Sequence, residues 1–440
     1  LFLYGETGFL TRAVQVVLDM KNAPWRLNGP GAVLLIHAYT MYVYFYMFVS
    51  AGLARLDPAL LEAASALGAS RTRTWLRVTL PMLAPAIGGA SLLVFMTSMG
   101  SFSAPYVFGG GFKVLTTQIY ASKLNGDLGI AAVETVILAI SSIIFLVWLQ
   151  RYESGRSYTG ASKGANVVAK RETPLGNRVL YCILGGLIAL FLILPHLTVL
   201  LVSFVPEGSW TTQFVPPRYS LSSYREIFTR ADSLRPIINS FNMATTATIA
   251  NIIFALIAGY LLTRGKSKAK WLVNALIVLP WALPGTVLAV ALASTFSVNQ
   301  PFLGRFVLVG TSLILPLAYF IRNIPLVTRA TMASFAQFDP ALEEASASLG
   351  ASWMTTARRV ILPLVMPGLI AGALLAFVTA LGEFVASILL YTHRTRPISM
   401  EILSQLRAFN FGAASAYAVL LIALMAVVFV AGQRSITAVR

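Results

Sequence analysis

Apolar runs of about twenty residues recur along this chain, separated by short polar or basic stretches. A helix rises about 1.5 Å per residue, so such a run crosses a hydrocarbon core of about 30 Å. The pattern predicts spans over 31–53, 82–99 and 129–149, then over 178–205, 237–262, 271–293, 305–321, 364–391 and 413–432. The predicted fold class is therefore all-α: a polytopic membrane protein with about nine transmembrane helices. Residues 1–30 are broken by Gly5, Gly8, Asn28, Gly29 and Pro30 and read as a loop outside the membrane. Residues 150–177, rich in Ser, Gly, Lys and Arg, read as a cytoplasmic linker between a first half, 1–149, and a second, 178–440.

The polar stretch from Leu56 to Pro85, LDPALLEAASALGASRTRTWLRVTLPMLAP, returns without a gap from Phe338 to Pro367 as FDPALEEASASLGASWMTTARRVILPLVMP, 282 positions later. Asp57, Pro58, Leu60, Glu62, Ala63, Gly68, Ser70, Arg77, Leu80, Pro81 and Pro85 all recur. The grammar is helix, sharp turn, helix. Asp57 or Asp339 can cap the first helix, and the proline that follows suits a first turn that needs no backbone N–H. Gly68 or Gly350 can end it in the left-handed conformation, and Ser70 or Ser352 can cap the next segment.

The same offset lays FMTSMGSFSAP over FVTALGEFVAS, so that Gly100, Ser101 and Phe102 correspond to Gly382, Glu383 and Phe384. Each set ends a predicted span near its outer face. These six are candidate elements of a pathway, with helix packing as the plainer reading. For Glu383 the two readings are a polar gate or solute contact, and an acid meeting water at the membrane surface. Glu134 is the other intramembrane acid; neither is duplicated in the other half.

Applied to residue 178, the offset points about a hundred residues before Leu1. The expectation is that three further spans precede this chain, giving about twelve in two parallel six-span units.

Composition narrows the class. Hydrophobic residues make up 57% and charged ones 11%, against roughly 25% charged in an ordinary soluble domain. The formal charge is +17, but the cations sit in short loops, which fits topology and anionic lipid rather than nucleic acid. Alternating the spans puts both repeat copies, the linker and the loop 264–270 on one face, with Arg71, Arg73, Arg77, Arg151, Arg156, Lys163, Lys170, Arg171, Arg264, Lys266, Lys268, Lys270, Arg358 and Arg359. That face is expected to be cytoplasmic. The opposite face also carries Arg218, Arg225, Arg394 and Arg396.

Enzymatic chemistry finds no foothold. His37, His196 and His393 are far apart and Cys182 is single, so no metal, cofactor or disulfide framework is expected. Tyr39, Tyr42 and Tyr46 near one helical face read as an aromatic belt or packing surface. A phosphate-binding loop would need glycine where Tyr260 precedes Gly265-Lys266-Ser267. Energy must come from a partner or from an ion gradient.

The repeated stretch also carries a family resemblance. Glu62-Ala63-Ala64 with Gly68 and Leu80-Pro81, and Glu344-Ala345-Ser346 with Gly350 and Leu362-Pro363, resemble the cytoplasmic signature of the membrane subunits of binding-protein-dependent ABC importers. Val78 and Val360 stand where that signature has isoleucine, and Ser346 replaces an alanine. Two copies in one chain resemble the fused permeases of the ferric-iron type. The resemblance implies a bacterial inner-membrane permease whose two coupling helices dock on a separate dimeric ATPase. It further implies a periplasmic or lipid-anchored binding protein that delivers solute. The coupling residues it implies are Asp57, Glu62, Ala63, Gly68 and Pro81 with Asp339, Glu344, Ala345, Gly350 and Pro363. Ferric iron is the preferred solute, with thiamine, 2-aminoethylphosphonate or a polyamine as alternatives within the class and an ion-driven secondary transporter as the alternative outside it.

Overall fold

The computed structural model describes residues 3–6, 8–54, 56–154, 175–209, 216–265, 268–297 and 306–438. Among these the regular elements are all helical. In the first part of the chain they are α1 (Phe9–Val17), α2 (Gly29–Ala54), α3 (Pro58–Ala66), α4 (Arg71–Thr74), α5 (Leu80–Met99), α6 (Ser103–Phe108), α7 (Leu115–Leu124) and α8 (Leu128–Ser154). The middle part adds α9 (Leu175–Val202), α10 (Ser222–Thr229), α11 (Ala231–Arg264), α12 (Lys270–Ala282) and α13 (Gly285–Thr295). The last part holds α14 (Ile314–Gln337), α15 (Ala341–Ser348), α16 (Trp353–Thr356), α17 (Leu362–Leu381), α18 (Val385–Leu390), α19 (Ile398–Arg407) and α20 (Phe411–Ala438). Displaced by 282 positions, α14 to α20 fall on α2 to α8 within three residues at every boundary. The sequence repeat is thus a repeat of structure.

Among the described residues seven helices are long and apolar enough to cross a membrane, or up to eight if the bent pair α12 and α13 counts as one span. Three expected spans take a different form. The run at 271–293 is not one helix: α12 and α13 meet at 109°. Leu283 is extended, with φ −100° and ψ 133°, because the residue before a proline is pushed out of the helical region. The run at 305–321 gives way to α14, which starts at Ile314 and continues to Gln337. Its 24 residues would cover about 36 Å. Its second half reads as polar in a hydropathy window, yet Asn323, Val327, Thr328 and Thr331 are buried where α14 packs between α11 and α17. Shielding by neighbouring helices removes the need for an apolar surface. The run at 364–391 breaks at Gly382 into α17 and α18.

Helix α8 runs on to Ser154 and α9 begins at Leu175, so both helices extend into the stretch 150–177. Residues 155–174, with Arg156, Lys163, Lys170 and Arg171, lie outside the described residues, as does Lys266. Helix α9 is apolar all round and largely exposed, which suits a lipid-facing helix. It is strapped to α2 by Tyr39, whose hydroxyl donates to the Leu192 carbonyl at 2.6 Å and whose ring meets Phe191 edge-on. The main buried cluster draws Phe102, Ile119, Tyr120 and Leu138 from the first repeat and Leu288, Leu315, Tyr319, Leu381 and Leu389 from later in the chain. The hydrophobic core therefore holds the two repeats together.

Candidate functional site

Each copy of the repeated stretch folds into a short capped helix that turns sharply into a membrane span. The Asp57 carboxylate accepts from the Ala59 N–H at 2.9 Å, and Asp339 accepts from Ala341 at the same distance. Such a cap satisfies a helix donor that has no partner within the helix. At the other end Ala69 donates to the Ala64 carbonyl and Gly68 to Ser65, while Ala351 donates to Ser346 and Gly350 to Ala347. This is the Schellman pairing, and it requires a left-handed residue after the helix. Gly68 and Gly350 supply it with φ of +75° and +79°. Ser70 and Ser352 then accept from the N–H three residues on, at 3.3 Å in each copy.

Sequence reasoning missed a feature common to both copies. Between α4 and α5, and between α16 and α17, one wide π turn intervenes at Trp75–Thr79 and at Ala357–Ile361. Leu80 donates five residues back to Trp75, and Leu362 to Ala357. The following Pro81 or Pro363 has no N–H to give and its ring crowds the carbonyl four residues earlier, so the turn widens. The available signal was a Leu-Pro pair inside a continuing helical pattern.

The outward surface of these loops is exposed and apolar. Leu67 and Leu349, one residue before each turn glycine, are 88% and 89% exposed. Trp75, Leu76, Trp353 and Met354 are exposed beside them. Glu62, Ala63, Glu344 and Ala345 are exposed as well. The copies differ in how they are held. Arg264, at the end of α11, donates through Nε to Glu343 Oε1 at 2.9 Å and through a terminal nitrogen to the Phe338 carbonyl at 3.1 Å, and its guanidinium lies 4.5 Å from the Phe338 ring centroid. The residue matching Glu343 in the first copy is Leu61. The first loop therefore has no carboxylate at that position. Arg264→Ala is expected to weaken that attachment by about 1.5–3 kcal/mol, the range for a hydrogen bond to a charged group. Hydrogen exchange should quicken over Ala341–Ser348 and stay unchanged over Pro58–Ala66.

The second set of candidates lies at the far ends of α5 and α17. Gly100 caps α5 and Gly382 caps α17. The rings of Phe102 and Phe384, equivalent residues of the two repeats, face each other with centroids 6.0 Å apart. Both helices span the membrane and their C-terminal ends meet here, so the two capped loops at their N-terminal ends share the opposite face. A Cβ on Gly100 would lie 3.3 Å from Pro284 Cα, so the first repeat rests directly on the bend between α12 and α13. Ser101 and Ser98 bracket His37, at 2.8 and 3.0 Å from its two ring nitrogens. Two further contacts join the repeats: Lys123 donates to the Leu389 carbonyl, and the Arg407 guanidinium lies 5.4 Å from the Tyr106 ring centroid.

Glu383 is not an acid in surface water. Its side chain is 9% exposed, its Oε1 accepts from the Ala386 N–H at 2.9 Å, and its Oε2 pairs with Arg322 Nε at 3.1 Å. Arg322 belongs to the part of α14 that the hydropathy pattern left out of the membrane. Glu134 accepts from Ser122 at 2.9 Å. Among the described residues no group of three or more His, Cys, Asp or Glu is placed to hold a metal ion.

A bundle whose described residues are all helical and hold up to eight candidate spans, duplicated around a central seam and carrying one capped loop per repeat on a common face, is a multi-pass membrane protein of the tandem-repeat class. The chain belongs to the family described as binding-protein-dependent transport system inner membrane component, whose model matches residues 13–157 and 251–439. That membership makes it a multi-pass protein of the bacterial inner membrane. It is 30% identical over 407 residues to the probable ABC transporter permease protein y4fN of Sinorhizobium fredii, covering 91% of this chain and 71% of that protein. It is 27% identical over 433 residues to the ferric transport system permease protein FbpB of Actinobacillus pleuropneumoniae, covering 97% of this chain and 61% of that one. It is 33% identical over 236 residues to the sulfate transport system permease protein CysT of Salmonella typhimurium, covering 52% and 84%. The chain thus spans about three fifths of the FbpB relative's length.

Proposed function

We propose that this chain forms the translocation path of an ATP-driven importer, with an ATPase dimer bound under the two repeated loops and a periplasmic or lipid-anchored solute-binding protein on the outer face. The observation that carries this reading is the duplicated, doubly capped helix with an exposed apolar elbow, one per repeat and both on one face. A symmetric partner would grip both loops, and its closing and opening would be passed through α5 and α17 to the seam where Phe102 and Phe384 meet. The chain acts by exposing a site to one side or the other and makes or breaks no covalent bond. Glu383 speaks against ion-gradient drive: a carboxylate held by Arg322 and a backbone N–H is a poor carrier for a proton or a cation.

For the solute we propose ferric iron, supported by the FbpB relative that matches nearly the whole chain. Sulfate is a second reading, favoured by the higher identity to the CysT relative over half the chain. Cysteines in place of Ala63 and Ala345 should each form a disulfide with cysteines in the ATPase groove, at a yield that changes when ATP is added. Failure of both positions to cross-link while the complex remains assembled would remove the docking role.

A further inference from the structure

Arg322 forms an ion pair with Glu383, its Nε lying 3.1 Å from Oε2. Its two terminal amino groups have no protein partner among the described residues. The side chain remains 34% exposed, whereas the carboxylate it pairs with is sealed, one oxygen accepting from the Ala386 N–H and the other held in the ion pair. The accessible member of this pair is the cation.

Its position explains what it is exposed to. Gly285 opens α13 against the guanidinium: a Cβ there would run into Nη1 of Arg322. Pro284, the preceding residue, rests on Gly100 of the first repeat, and Phe384, the residue after Glu383, meets Phe102. The guanidinium therefore stands at the seam between the repeats. An arginine turned toward hydrocarbon is strongly disfavoured, and intramembrane charges face the bundle interior or a water-filled cavity. Thr286, next to Gly285, adds a buried hydroxyl with no hydrogen-bond partner among the described residues.

The approach from outside carries the same sign. Segments 206–236 and 391–401 hold Arg218, Arg225, Arg230, Arg235, Arg394 and Arg396 against Glu207, Glu226, Asp232 and Glu401, the last paired with Arg396 at 2.7 Å. A small outer cavity is lined by Arg235, Arg396, His393, Asn239, Asp232 and Pro236. Such an excess attracts anions and repels bare cations. At the equivalent positions the first repeat carries no charge: Thr40 matches Arg322 and Ser101 matches Glu383.

We propose that the solute crosses the seam as an anion, and that the free amino groups of Arg322 bind it there. The chemistry recognised is an oxyanion or a carboxylate, met either on a free oxyanion such as sulfate or on an anionic ferric chelate. A planar guanidinium with two unpaired N–H edges matches that geometry in a way a point charge does not. This inference rests on the import reading above, and the test separates the two.

The assembled complex in lipid nanodiscs is treated with the arginine reagent phenylglyoxal, and modification of each arginine is measured by mass spectrometry. Sulfate, citrate and ferric citrate serve as probes, with choline chloride at matched ionic strength as control. Protection of Arg322 by at least threefold with one of these anions, while exposed Arg394 is unchanged, supports the proposal. Sulfate protection points to a free oxyanion, and protection by ferric citrate but not citrate points to the chelate. Modification of Arg322 that is the same in all four solutions overturns it. In proteoliposomes Arg322→Gln should lower ATP-driven uptake of the protecting probe at least tenfold, Arg322→Lys should restore part of it, and Glu383→Gln should cost less than Arg322→Gln. Equal losses in Arg322→Gln and Glu383→Gln would make the pair merely structural and overturn the proposal. Protection without any ATP-driven uptake in the unaltered complex would instead strike the import reading and leave the anion site standing.

Discussion

Replacing Gly68 and Gly350 together by valine should leave the protein inserted and assembled, yet lower ATP-driven uptake more than tenfold. The two glycines sit at φ of +75° and +79°, and a Cβ at either would meet nothing within 4 Å. Crowding is therefore no objection to a side chain; only the hand of the backbone is. A left-handed conformation costs an L-residue about 1–2 kcal/mol, and a β-branched residue suffers most. Valine would undo the Schellman turn and swing the capped helix on its membrane span, without emptying any core. Asparagine tolerates the left-handed region, so the corresponding asparagine pair should transport within about threefold of the unaltered protein. Uptake and ATPase activity measured on the same proteoliposomes check this. A valine pair that imports at the normal rate would show that the angle of these loops carries no signal.

Gly372→Leu should have the larger effect on folding. Gly368 and Gly372 lie one turn apart on the face of α17 that crosses α14. A Cβ at Gly372 would stand 2.9 Å from Val327 Cα, and one at Gly368 would stand 2.7 Å from the Ala330 carbonyl oxygen. Backbone cannot step aside as a flexible side chain can. Small residues four apart are what lets two membrane helices approach this closely. Forcing a larger side chain into a packed contact costs about 1–3 kcal/mol, and more where backbone must move. The expected result is a sharply lower yield of folded protein in mild detergent and a lower aggregation temperature. Gly185→Leu on the exposed, lipid-facing α9 should change neither.

Much of this architecture was legible in the chain because two periodic signals are strong: long apolar runs, and a repeat that preserves caps, turn glycines and prolines at one offset. Asp57, Gly68, Ser70 and their twins could be read as cap, turn and cap, since each depends on local backbone chemistry alone. What escaped reading depends on neighbours. Helix α14 carries Arg322, Asn323 and Arg329, and only the packing of α11 and α17 around it shows why a span can afford them. The bend between α12 and α13 was hidden inside an apolar run, although Pro284 was its signal. Glu383 was visible as an unusual acid, but its partner lay 61 residues away, just past the end of the predicted span 305–321. The fastening of the second coupling loop by Arg264 likewise joins residues far apart in sequence. Leu61 stands in place of Glu343 in the first copy, so the repeat gave no hint of it.

The central claim is that this path is driven by ATP through a partner bound to the two repeated loops. Its most direct test reconstitutes the complete complex in proteoliposomes with no ion gradient and measures uptake with ATP inside, with a non-hydrolysable analogue inside, and with an ionophore added. Uptake that requires hydrolysable ATP and ignores the ionophore is the predicted result; uptake that proceeds without ATP and collapses with the ionophore would contradict it.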